Sequence, residues 1–159
     1  MALLVIIGVS LYAWYTVSRR GANEAGKPDA NSSGAAPTLP RPPVTASLLN
    51  GNPDVEAGQI QWINFAVPVG AFRVSVTGSF HAFGGSGNDI WVTLTTPVEF
   101  ENWRNGHEAR LFYNSGKTTN SEIAVKGLPP GSYVLAFDNR FSALSRKGVT
   151  GSITLTYSH

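Results

Sequence analysis

From Ile60 onward the chain alternates apolar and polar residues with a period of two. In Phe72–Phe83, Phe72, Val74, Val76, Gly78, Phe80 and Ala82 fall on one side. Arg73, Ser75, Thr77, Ser79 and His81 fall on the other. That period is the geometry of a strand with one buried face. It recurs in Ile60–Val67 (Ile63, Phe65, Val67), Asp89–Thr95 (Ile90, Val92, Leu94) and Ser132–Asp138 (Tyr133, Leu135, Phe137). Val149–Tyr157 repeats it, and Ala109–Ser115 and Ser121–Leu128 bring the strands to at least seven. Pro68-Val69-Gly70, Gly84–Asn88 and Pro129-Pro130-Gly131 supply turns. Pro97–Gly106 has no clear period and reads as a short helical turn or an exposed lip. With no helix long enough to cover a sheet, the sheets must cover each other. The expected fold is an all-β antiparallel sandwich of jelly-roll or related type over residues 59–159. Its expected core is Phe65, Val74, Val76, Phe80, Ile90, Val92, Leu94, Tyr133, Leu135, Phe137, Ile153 and Leu155.

Two other patterns precede the sandwich. Ala2–Val17 is nearly all apolar, with Tyr12, Trp14 and Tyr15 in its second half and Arg19 and Arg20 closing it. As a helix it spans about 24 Å, against a hydrocarbon core of roughly 30 Å, a deficit that snorkelling arginines can cover. Residues 1–20 therefore read as a single-pass membrane anchor, with a cleaved signal peptide as the alternative. The two arginines favour a cytoplasmic C-terminal flank, whereas the anchor–linker–domain layout favours an extracytoplasmic domain, and the latter is the expectation adopted. Residues 21–58 hold six of the ten prolines and seven alanines, the composition of a disordered tether. Within it, Val44–Leu49 has the look of a lead-in strand that pairs with the domain.

Composition adds mainly exclusions. The chain has no cysteine, so disulfides and thiolate metal sites are ruled out. Its net charge of +2 is small and scattered, which is no footprint for nucleic acid. His81, His107 and His159 are too far apart in sequence to form a ligand pair. No serine sits in a G-x-S-x-G elbow, and the G-G-S-G run lacks the Gly-Lys-Ser/Thr ending of a phosphate loop. Glu99 and Glu101, two apart, give no control over the carboxyl separation that glycoside hydrolysis needs. Asn88, Asp89, Asp138 and Asn139 are oxygen donors at strand ends. They suit either a Ca²⁺ site or turn capping, and capping explains all four. No catalytic residues, cofactor or metal are expected. Trp91 and Trp103, with Asn102, Arg104 and Asn105, form the candidate binding surface. Trp91 runs out of phase with Ile90 and Val92, so it either faces solvent or packs in a second layer; core completion competes with binding for these rings and for Trp62 and Phe112.

N-D-I-W-V at Asn88–Val92, P-G-S-Y-V-L-A-F-D-N-R-F-S at Pro130–Ser142 and S-R-K-G-V-T-G-S-I-T-L at Ser145–Leu155 together resemble the GOLD (Golgi dynamics) domain. Asp89, Gly131, Tyr133, Asp138, Asn139, Phe141, Ser142 and Lys147 match its pattern. The resemblance implies a compact β-sandwich that mediates protein–protein contact and is not an enzyme. The layout departs from trafficking adaptors, which place the domain first and the membrane helix last. The glycine-rich G-G-S-G-N-D-I-W-V and G-S-Y-V-L segments are also similar to the bacterial pre-peptidase C-terminal domain, which implies the same fold and accessory work. The function expected is a membrane-tethered, non-catalytic interaction module with a protein partner. Carbohydrate or lipid-headgroup recognition is the alternative.

Overall fold

A computed structural model describes residues 41–49, 51–85 and 87–159. The expected anchor and the tether up to residue 40 lie outside the described residues. Nine strands and one helix are described: β1 (Val44–Ser47), β2 (Asp54–Val55), β3 (Ile60–Val67), β4 (Phe72–Phe83), β5 (Ile90–Thr95), α1 (Pro97–Arg104), β6 (Tyr113–Thr118), β7 (Asn120–Lys126), β8 (Gly131–Asp138) and β9 (Lys147–Ser158). They form two antiparallel sheets. One has the order β1-β9-β4-β7, with β2 also on β9; the other has the order β3-β8-β5-β6. We call them the first and second sheets.

The inward rows of both sheets interlock as one core of Val74, Val76, Phe80, Ile90, Val92, Leu94, Tyr133, Leu135, Phe137, Ile153 and Leu155. Each buried aliphatic or aromatic side chain contributes roughly 1.5–3 kcal/mol. Phe65 is only half-buried and stacks on Tyr133 at 5.5 Å, because β3 is an edge strand with one flank open.

Three local features depart from the periodic reading. Phe72 points outward and is 49% exposed. The register of β4 on β9 slips between Phe72 and Ser75, and Arg73 sits there at φ 53°. This bulge inserts one residue and turns Phe72 away from the core. The sandwich also begins earlier than Gln59. Val44–Ser47 pairs with Thr154–Tyr157, Leu48 and Leu49 are buried, and Val55 is fully buried on β2. The lead-in strand expected at Val44–Leu49 is thus present as β1, whereas linker-like composition hides β2, where Val55 is the one apolar residue. Finally, an eight-residue helix does cover a sheet: α1 lies on the second sheet's outer face, burying Phe100 with Val134 and Ala136 of β8. Consequently β8 is buried on both faces from Tyr133 to Asp138.

Candidate binding surface

The helix is placed by its own sequence. Thr96 caps it, its Oγ1 accepting from the Glu99 amide at 3.3 Å, and Pro97 occupies the first turn, where no amide partner is needed. Glu99 Oε2 accepts the Arg110 amide at 2.9 Å, tying the helix to the return loop. Glu101 and Arg104 pair at 2.7 Å one turn apart. The apolar side has just Phe100 and Trp103, three residues apart, which is too few to leave a helical period in the sequence.

Around this helix the second sheet carries a cluster of rings and cations. Trp91 and Trp103 meet edge to face at 5.8 Å, and Trp103 continues to Phe100 at 6.2 Å and Phe100 to Trp62 at 5.4 Å. Trp91 thus packs in a second layer outside the core. Its Nε1–H donates to Asn114 Oδ1 at 2.6 Å, fixing the ring. The Arg104 guanidinium lies 5.8 Å from the Phe100 centroid and 6.0 Å from that of Trp62. Arg140 lies 5.1 Å from Trp103. Lys117, opposite Trp91 in the β5–β6 register, sits 4.4 Å over Phe141. Such contacts are worth about 0.5–1 kcal/mol each at exposed sites and more where water is excluded. Among these rings Trp62 is the most open, at 45% exposure.

Arg140 is held from behind. Its Nε and Nη2 donate to the carboxylate of Asp138 at 3.0–3.2 Å, and Nη1 donates to the Arg104 carbonyl. Asp138 is nearly inaccessible, so this pair is screened less than a surface ion pair. Asp138 Oδ1 also accepts the Arg140 amide at 2.7 Å, shaping the exit from β8. The strand-end motif therefore aims a cation at Trp103.

The structure gathers Trp91, Trp103 and Arg104 on one face. Asn102 and Asn105 serve the helix end: the Asn102 carbonyl accepts the His107 amide at 2.9 Å, and the Asn105 amide closes on Glu101 at 3.2 Å. Phe112 instead packs edge to face on Tyr133 at 5.6 Å as part of the core. Trp62, Arg140, Lys117 and Phe141 complete the surface. Trp62 stood out in the sequence as a large ring; Arg140, Lys117 and Phe141 join through sheet register and a loop, which leave no local signal.

Of the remaining motif residues, Asn139 and Ser142 form a corner just past the end of β8. Asn139 Nδ2 reaches the carbonyls of Ser145 at 2.9 Å, Val55 at 3.1 Å and Glu56 at 3.2 Å. Its backbone amide donates to Gln59 at 2.9 Å, and its carbonyl accepts Ser142 and Gly58 amides. Ser142 Oγ donates to the Ser145 carbonyl at 3.0 Å. Lys147 is buried, its Nζ close to Gly85. Gly131 takes φ 155° at the turn into β8, and Tyr133 Oη donates to Pro129 at 2.6 Å. Burial raises the Tyr133 phenol above its usual value near 10. Asp89 lies against Gly87 in the glycine-rich turn. Among the described residues there is no cluster of three or more His, Cys, Asp or Glu able to hold a metal. No described helix is long and apolar enough to cross a membrane. Neither a protein-family model nor a curated protein sequence matches the chain.

Proposed function

We propose that the sandwich is a non-catalytic interaction module, GOLD-like in kind, that docks a protein partner on the outer face of its second sheet. Residues 1–20 anchor it in a membrane, and the segment that follows tethers it on the extracytoplasmic side. The observation that carries the docking reading is the Trp62–Phe100–Trp103–Trp91 cluster interleaved with Arg104 and Arg140. Tryptophan and arginine dominate the energetics of protein interfaces, and rings and cations already held in place lose little entropy on binding. Sugar or headgroup binding at this face is the weaker alternative, because Arg140 covers Trp103 and Trp91 is locked edge-on.

A photo-crosslinking residue at Trp62, on the full chain in its native membrane, tests this. The expected result is a discrete crosslinked protein that disappears in Trp103→Ala and Arg140→Ala chains. The same residue at Ala124, on the first sheet, should not capture it. Equal capture from both faces, or capture untouched by both substitutions, refutes the reading. Binding to a glycan panel with tryptophan quenching, and no protein capture, would favour the alternative.

A further inference from the structure

The first sheet's outer face has a different chemistry. Outward positions of β4 carry Ser75, Thr77, Ser79 and His81. Those of β9 carry Thr150, Ser152, Thr154 and Thr156 in register with them. Thr45 and Ser47 of β1 extend the rows, opposite Thr156 and Thr154. Between Ser75–Thr156 and His81–Thr150 neither strand presents a Lys, Arg, Asp or Glu outward. Among the described residues, the β4 and β9 hydroxyls of this array make no side-chain hydrogen bond to protein; Ser47 alone in the rows does, to the Leu49 carbonyl. The array repeats at about 4.8 Å between strands and about 6.8 Å along them.

An exposed ring closes each end. Phe83, 42% exposed, lies against Gly148, where an added Cβ would come within 2.3 Å of the ring. Phe72 pairs with Ser158 at the far end, brought to this face by the bulge. The strip from Gly148 to Ser158 is roughly 34 Å long at about 3.4 Å per residue. A shallow concavity of about 480 Å³, lined by Ser79, His81, Asn120, Glu122 and Thr150, opens on its β7 side.

We propose that this face binds an extended, uncharged polysaccharide. Each hydroxyl both donates and accepts, as do the groups of a glycan. An exposed face normally carries charge for solubility, and protein-docking surfaces are enriched in aromatic residues and arginine and depleted in serine. Unbonded hydroxyls without charge match a ligand that is itself hydroxylated and neutral. The terminal rings offer apolar platforms to the C–H faces of sugar rings. Glu122 and Lys126 on β7 and Arg73 at one end confine charge to the rim.

The test is co-sedimentation of the full chain in detergent with insoluble cellulose, chitin and starch granules. Retention on at least one is expected, unchanged from about 0.05 to about 1 M NaCl because no ion pair is involved. Thr77→Lys and Thr154→Lys, which place charge mid-strip without touching the core, should weaken retention by at least about tenfold. Phe83→Ala should weaken it too, with an unchanged melting temperature of the lysine variants showing that the fold survives. Trp103→Ala should leave it intact, which separates this face from the docking surface above. No retention on any of the three, retention abolished by salt, or retention indifferent to both lysines overturns the proposal. So does concentration-dependent self-association broken by Thr77→Lys, which would give the face to a second copy of the chain.

Discussion

Gly78 and Gly151 offer the sharpest test of the packing between β4 and β9. They take φ 146° and 145°, a region that L side chains rarely adopt. A Cβ on Gly78 would lie 1.9 Å from the Ser152 carbonyl oxygen and 2.9 Å from Ile153 Cα. A Cβ on Gly151 would lie 2.2 Å from the Ser79 oxygen and 2.8 Å from Phe80 Cα. Each glycine thus faces the other strand's backbone across the middle of the first sheet, and the obstacle in each case cannot rotate away. Gly78→Ala meets two costs. Holding alanine at that φ costs of order 1–3 kcal/mol. Separating the strands enough to admit the methyl weakens one or two ladder hydrogen bonds, at about 0.5–1.5 kcal/mol each. The expected loss is about 1.5–6 kcal/mol, a large part of the roughly 5–15 kcal/mol that holds a domain of this size. Gly151→Ala should cost about the same. Once one alanine has parted the strands the second meets less resistance, so the double variant should fall short of the sum by at least about 1 kcal/mol. Equilibrium urea unfolding followed by tryptophan emission and by far-ultraviolet circular dichroism measures both quantities. A single-variant loss under about 1 kcal/mol, or strict additivity, would refute the reasoning.

Local geometry elsewhere sets three further outcomes. Asn139→Ala should cost about 2–4 kcal/mol by leaving buried carbonyls unpaired; Asn139→Asp should be at least as harmful near neutral pH, since a carboxylate has no donor, and partly recover in acid, read by melting temperature against pH. Arg73→Gly should stabilise by about 0.5–1 kcal/mol in urea titrations, because glycine relieves the positive φ at the bulge. The raised Tyr133 phenol makes the folded state hold its proton longer than the unfolded one, so that contribution is complete below pH about 10 and is lost as pH rises through the folded value. Tyr133→Phe should flatten that alkaline decline in melting temperature.

Much of the fold was legible. β3 and β4 begin and end where period two begins and ends, since edge and outer faces stay polar. The bulge at Arg73 was not legible, because it is a backbone event that leaves Phe72 in phase by count. α1 was legible as a helical turn within Pro97–Gly106, but its cover of a sheet was not, because Phe100 and Trp103 are too few to mark a period. β1 was legible as a lead-in strand at Val44–Leu49, whereas β2 hides because Asp54–Val55 is two residues long with a single apolar side chain. At the candidate surface Trp91 and Trp103 stand out as large rings off the core phase. Their meeting depends on α1 folding over the sheet, and Arg140 and Lys117 join through tertiary placement alone.

The strand order has a consequence for how the molecule comes into being. β9 is the last strand in chain order, yet it sits between β1 and β4 and also holds β2. The second sheet has all its strands once Asp138 has been made, whereas the first lacks its middle until Ser158. A chain emerging amino end first from a ribosome or a translocation pore therefore carries β1 unpaired and β4 with the flank away from β7 bare until β9 is made. β9 reaches β1 across the longest sequence separation among the described strand pairs, the kind of closure that slows folding. During that interval the apolar row of β4 is the stretch most open to wrong pairing, and the domain's vulnerability to aggregation is set by timing rather than by its finished stability.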